Sequence, residues 1–181
     1  MKATGIVRRI DDLGRIVVPK EIRRTLRIRE GDPLEIFTNR DGEIMLKKYS
    51  PIGELKNIAE SYAESLAHTT GELVCITDRD CVVAASGPRK KEYEGKNLSQ
   101  EMERLIEKRG TTAAHAEDKE FIRVTVDDPK EFETQTIVTI ICNGDSIGAV
   151  VLYGKDSQKQ SAEDVKRLVQ TAAQFLGRQM E

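Results

Sequence analysis

The chain has 181 residues, 38% apolar and 33% charged with no tryptophan, a charge-rich globular composition that excludes intrinsic disorder. No apolar run approaches the roughly 18–20 residues of a membrane span, and the opening MKATGIVRRID holds no apolar signal core, so a cytoplasmic protein is expected. The formal net charge of −2 hides a polarity: residues 1–50 hold 12 of the 29 basic and 8 of the 31 acidic side chains, leaving 17 and 23 to residues 51–181. A basic N-terminal module on an acidic body points to a nucleic-acid-facing end.

In chain order, Gly5 to Ile10 alternates in the manner of a strand, and Asp11, Asp12 and Gly14 break it. Arg15 to Val18 is a second short β-branched run. Pro19 ends that run at a helix start, where its missing N–H costs nothing. The spacing then predicts a helix over Lys20 to Arg27, with Ile22 and Leu26 on one face and Arg23, Arg24 and Arg27 on the other. Leu34 to Arg40 and Glu43 to Tyr49 read as strands joined by the two-residue turn Asp41-Gly42. This β-β-α-β-β order fills about fifty residues, too few to secure a core alone without metal or disulfide. Strand exchange between two copies is the simplest remedy.

Residues 51–55 are expected to be a linker. Beyond it, Leu55, Ala59, Tyr62 and Leu66 set a helix over Glu54 to His68, stopped at Gly71. Leu73 to Thr77 and Cys81 to Ser86 are apolar strands around the turn Asp78-Arg79-Asp80. Gly87 to Asn97 reads as a polar loop and Ser99 to Lys108 as a helix. A short strand follows near His115, then another over Glu120 to Val126, with Asp127-Asp128-Pro129 as a turn. Gln135 to Cys142 and Ser146 to Tyr153 are the firmest strands, joined by the hairpin pair Asn143-Gly144. Ser161 and Asp164 open the last helix as a capping box, and Val165, Leu168, Ala172 and Phe175 line its seam. The fold class is therefore α+β, with the two long helices packed on each other across one face of an antiparallel sheet.

The arginines carry the chemistry. Arg8 lies on the first strand, Arg15 at the loop exit, and Arg23 and Arg24 on the short helix. A guanidinium is always charged, and its fork of donors grips phosphates or the acceptors of guanine in the major groove. The run TGIVRRIDDLGRIVVPKEIRRTL, followed by GDPLEIF and DGEIMLKKY, resembles the AbrB-type swapped-hairpin transcription factors over essentially all of residues 1–50. The Val-Pro-Lys-Glu-Ile-Arg-Arg helix start and the later Gly-Asp are its specific parts. The resemblance implies an interleaved dimer, a swapped-hairpin β-barrel that lays Arg8, Arg15, Arg23 and Arg24 on double-stranded DNA. It also implies flexible recognition through phosphate contacts and shape. Acidic Glu21 departs from the commonest helix start of that family without entering the arginine face.

Residues 53–181 resemble a GAF domain, so 1–50 is expected to bind DNA and 56–181 to regulate and oligomerise. Such domains bind small molecules between the sheet and a variable middle segment, here Gly87 to Ala116. Thr77, Arg79, Ser86 and Asn97 are the candidate ligand-lining residues. The Asn-Lys and Asp-Glu motif of cyclic-nucleotide-binding members is missing. Together the two resemblances imply a homotetrameric activator and repressor of genes in the developing spore, with no catalytic residue, metal or cofactor. An antitoxin would share the N-terminal fold but end in a disordered tail, whereas this chain continues into a patterned domain. A GAF-fold redox enzyme would need cysteines placed for catalysis. Cys75, Cys81 and Cys142 include no CxxC pair and read as buried strand residues. His68 and His115 lack partners at ligand spacing.

Overall fold

A computed structural model describes residues 5–129, 131–155 and 161–180. The chain divides into two compact units after Tyr49. In the first, buried Pro19 precedes α1 (Lys20–Thr25), which ends two residues sooner than its periodicity suggests. Arg27 turns instead to a left-handed φ of 52°, and its carbonyl accepts from Lys48 Nζ at 2.9 Å. The same ammonium lies 2.9 Å from Asp32 Oδ2, whose side chain is only 2% exposed. That oxygen also accepts from the Arg29 N–H at 2.8 Å. One buried carboxylate thus ties the segment after the helix to the strand that carries Lys48, and Arg27 lies beyond the end of α1.

Strands β1 (Leu34–Thr38) and β2 (Ile44–Lys48) pair antiparallel, with Ile36 opposite Leu46. The hairpin is wider than a two-residue Asp41-Gly42 turn. Asn39 Oδ1 accepts from the Asp41 and Glu43 N–H groups at 3.1 and 2.9 Å, taking backbone donors that a tighter turn would pair. The expected strands Gly5–Ile10 and Arg15–Val18 form no ladder among the described residues. Their β-branched sequence pairs with no strand among the described residues, and Val7, Val17, Ile36 and Ile44 are left 65–85% exposed.

The second unit starts before the expected linker ends. Ser50 Oγ accepts from the Gly53 N–H at 3.0 Å and caps α2 (Pro51–Glu54), with Pro51 in the first turn. Ile52 is fully buried, a contribution of about 2–3 kcal/mol that anchors this stretch to the core. Residues 51–55 are therefore part of the sheet unit and not a free linker. Then come α3 (Lys56–Thr70), β3 (Leu73–Thr77), β4 (Val82–Ser86), a short 3-10 turn Lys90–Glu92, α4 (Gln100–Glu107), β5 (Thr111–His115), β6 (Thr134–Cys142), β7 (Asp145–Gly154) and α5 (Ala162–Arg178). Ser161 caps α5 through the Asp164 N–H at 3.1 Å, as its capping box predicts.

Among the described residues the strands form one antiparallel sheet in the order β4-β3-β7-β6-β5. Strand side chains alternate between two cores, which explains why β3 and β7 are apolar almost throughout. Val74, Ile76, Val150 and Leu152 face Ile52 and the helices α3 and α5. Leu73, Cys75, Val151 and Tyr153 face a second layer built from Tyr93, Leu98, Met102, Phe121 and Phe132. Tyr62 of α3 and Phe175 of α5 stack with centroids 5.1 Å apart, so the two long helices do lie side by side on one face. Gly177 lets α5 approach the sheet: a Cβ there would meet the Ile141 carbonyl oxygen at 2.2 Å.

The expected strand Glu120–Val126 is irregular chain with a single bridge, Leu98 to Thr125. Side chains meet its backbone in place of a ladder. Gln135 accepts from Ile122 N at 3.1 Å and donates to Ile122 O at 2.8 Å. Glu101 accepts from Arg123 N at 3.1 Å, Asp128 accepts from Val124 N at 2.9 Å, and Ser99 Oγ donates to the Arg123 carbonyl.

Candidate nucleic-acid interface

The four arginines sit on three consecutive pieces of the first unit, and all are exposed. Arg8 lies on the N-terminal arm, its guanidinium donating to the neighbouring Val7 carbonyl at 3.4 Å. Arg23 and Arg24 project from α1, whose opposite face is anchored by half-buried Ile22. Arg15 closes the turn between arm and second run. There the Asp11 N–H donates to Arg15 O at 3.1 Å and the Gly14 N–H to Asp11 O at 3.0 Å, with Gly14 at φ +75°. The Asp11 carboxylate organises this turn. Its Oδ1 accepts from the N–H groups of Leu13 and Arg15 at 3.0 and 2.8 Å, and its Oδ2 from Arg15 Nε at 2.7 Å. The Arg15 N–H, its guanidinium and the Leu13 N–H hold the Asp11 carboxyl below the usual carboxylate range.

Nothing in composition singles out Asp11 from Asp12; only the turn geometry does. The arrangement is a set of permanently charged forks on a surface with no acidic partner beyond Asp11 for Arg8, Arg15, Arg23 or Arg24 among the described residues.

In the sheet unit the four candidate ligand-lining residues separate. Thr77 and Arg79 flank Asp78, and Asn97 bridges to Cys81 at the same turn. Thr77 is fully buried, and its Oγ1 accepts from Ala149 N at 3.2 Å. Asp78 accepts from the N–H groups of Asp80 and Cys81, both at 2.7 Å, and from Ser50 Oγ at 2.8 Å. Ser86 pairs with Val74 at the far end of the same hairpin. The layer beneath the variable segment holds a polar group that sequence reading takes for a turn residue. Buried Asp128 accepts from Tyr93 Oη at 3.0 Å and from Tyr153 Oη at 2.5 Å, amid the rings of Tyr93, Phe132 and Tyr153. Burial, with the Asp128 charge adding to it, pushes both phenols well above the ordinary tyrosine range. The same two causes, in the same order, raise the Cys75 thiol, which makes it a packing residue and a poor nucleophile.

A family model described as stage V sporulation protein T C-terminal, transcription factor, matches residues 54–181. Stage V sporulation protein T of Bacillus subtilis (strain 168) is 51% identical over 181 residues, covering 100% of this chain and 99% of the relative. The chain belongs to the stage V sporulation protein T family. With that membership comes its role, a DNA-binding transcription regulator of sporulation. Two further likenesses divide the family's architecture between the units. The transition state regulatory protein AbrB of the same organism is 49% identical over 74 residues, 41% of this chain and 76% of the relative. The A. aeolicus Nlh2 GAF domain, solved in an inactive state, has a TM-score of 0.53 at 11% identity and covers 73% of this chain and 85% of its own, which shows the GAF fold. A model of the MazE antitoxin, described as antidote-toxin recognition, matches residues 7–54 alone. An antitoxin domain is thus similar to the first unit, while full-length similarity in this family runs to a transcription factor. Among the described residues no helix is long and apolar enough to cross a membrane.

Proposed function

We propose that two copies of this stage V sporulation protein T family member interleave their first units and present Arg8, Arg15, Arg23 and Arg24 from each copy to double-stranded DNA. The observation that carries the reading is the pairing of two surfaces on one small unit. One is a set of exposed guanidinium groups. The other is a set of apolar side chains, Val7, Val17, Ile36 and Ile44, that the unit leaves 65–85% exposed. The first suits phosphate contact, and the second calls for a matching copy. The sheet unit is the regulatory and oligomerising domain: its helices join dimers into a tetramer, and its GAF fold takes a small molecule. The assembly activates some promoters and represses others from the cytoplasm.

Titration of one duplex DNA with the wild-type chain and with each arginine changed to alanine tests the interface. Each change is expected to weaken binding about 10-fold or more while the oligomer seen by light scattering stays intact. Wild-type affinity should fall steeply with added salt. Salt-insensitive binding that survives all four changes, or a full-length monomer, would overturn the reading.

A further inference from the structure

We propose that Asp11 is a positioning residue for Arg15: it grips the inner edge of the guanidinium and leaves the outer fork free for DNA. The proposal rests on the reading of Arg15 as a DNA contact. The two carboxylate oxygens of Asp11 have separate tasks. Oδ1 shapes the turn by accepting the Leu13 and Arg15 N–H groups at 3.0 and 2.8 Å. Oδ2 reaches past the backbone and accepts from Arg15 Nε at 2.7 Å. A guanidinium has five N–H donors, and this contact uses the one nearest the stem. The paired nitrogens Nη1 and Nη2 make no hydrogen bond among the described residues, on a side chain that is 69% exposed.

Surface ion pairs of this kind add little to folding stability. Their effect is on the side chain's freedom. A tethered arginine meets its phosphate or base edge already aimed, and loses less on binding than a free one. The sign of the effect separates this role from plain electrostatics. A carboxylate beside a polyanion repels it, so removing the Asp11 charge should tighten DNA binding if charge were its whole contribution. Removing it from a positioning group should weaken binding instead.

Asp11→Asn distinguishes the two. Asparagine keeps an acceptor for the turn but places an amide donor, or nothing, opposite Arg15 Nε. Binding of the full-length chain to one fixed mixed-sequence duplex is measured for Asp11→Asn, Arg15→Ala and the double variant, with thermal melting alongside. Asp11→Asn is expected to weaken binding about 3- to 10-fold with an unchanged melting profile, and to give no weakening in the Arg15→Ala background. Arg15→Lys supplies a second route, since lysine keeps the charge but has no Nε–H of this geometry. It should bind about as weakly as Asp11→Asn, and adding Asp11→Asn to it should change nothing. Tighter or unchanged binding by Asp11→Asn, or equal weakening with and without Arg15, overturns the positioning role. If Arg15→Ala itself binds as well as wild type, the underlying assignment of Arg15 fails, and the positioning role fails with it.

Discussion

Tyr153 Oη lies 2.5 Å from Asp128 Oδ2, while Tyr93 Oη donates to the other oxygen of the same carboxylate at 3.0 Å. The Val124 N–H adds a third donor at 2.9 Å. A carboxylate that is 7% exposed is thereby satisfied from three directions, and it pins the irregular segment 121–128 to the central strand β7. Buried polar groups of this kind are costly only when a partner is removed.

Asp128→Ala strands two phenols and one backbone donor in an apolar layer. It is expected to destabilise the sheet unit by about 3 kcal/mol. The check is the urea midpoint of the full-length chain followed by far-ultraviolet circular dichroism. A loss below about 1 kcal/mol would show that the segment is held by its aromatic packing alone.

Alkaline titration gives a second measurement. Burial, and then the Asp128 charge, raise Tyr153 and Tyr93 above the ordinary phenol value near 10. Because the folded-state value is the higher one, the stabilisation is fully present below about pH 10 and is lost as pH climbs toward the folded-state values. Stability of the sheet unit should hold up to about pH 10 and then decline. Tyr153→Phe should soften that decline. Wild-type stability that is flat through the alkaline range would contradict the account.

Gly177→Ala probes the seat of α5. On helix propensity alone the change would stabilise by about 1 kcal/mol. Its new methyl would meet a backbone oxygen, Ile141 O, at 2.2 Å, and that atom belongs to the sheet and cannot swing aside. The overlap should prevail, giving a net loss of about 1–2 kcal/mol, read as a lower urea midpoint. A gain in stability would mean that the helix can slide outward at little cost.

Local chemistry was the part of this fold that could be read from residues alone. Asn143-Gly144 marked the long hairpin, Ser161 and Asp164 marked the start of α5, and the apolar runs of β3 and β7 marked a buried sheet. Other features depended on contacts far along the chain. Ser50-Pro51 reads as a boundary, and only the burial of Ile52 makes it a helical turn of the core. Glu120–Val126 has strand-like residues, yet Gln135, Glu101 and Asp128 meet its backbone first. Asp127-Asp128-Pro129 has the composition of a turn, and the partnership of Asp128 with tyrosines 35 and 25 residues away leaves no local trace. In the first unit the exposure of Arg8, Arg15, Arg23 and Arg24 follows from their charge alone, which needs no context. Arg27 was misplaced because its helix closes early around Asp32 and Lys48.

The exposed Val7, Val17, Ile36 and Ile44 have a further consequence. In the proposed assembly the reading head borrows half its interior from another molecule, so its intactness obeys mass action while the sheet unit has its own cores. Dilution should melt the head first and leave the sheet standing. In a cell whose supply of the protein is rising, the number of working heads would climb more steeply than the number of chains, and abundance itself would set a threshold for gene control.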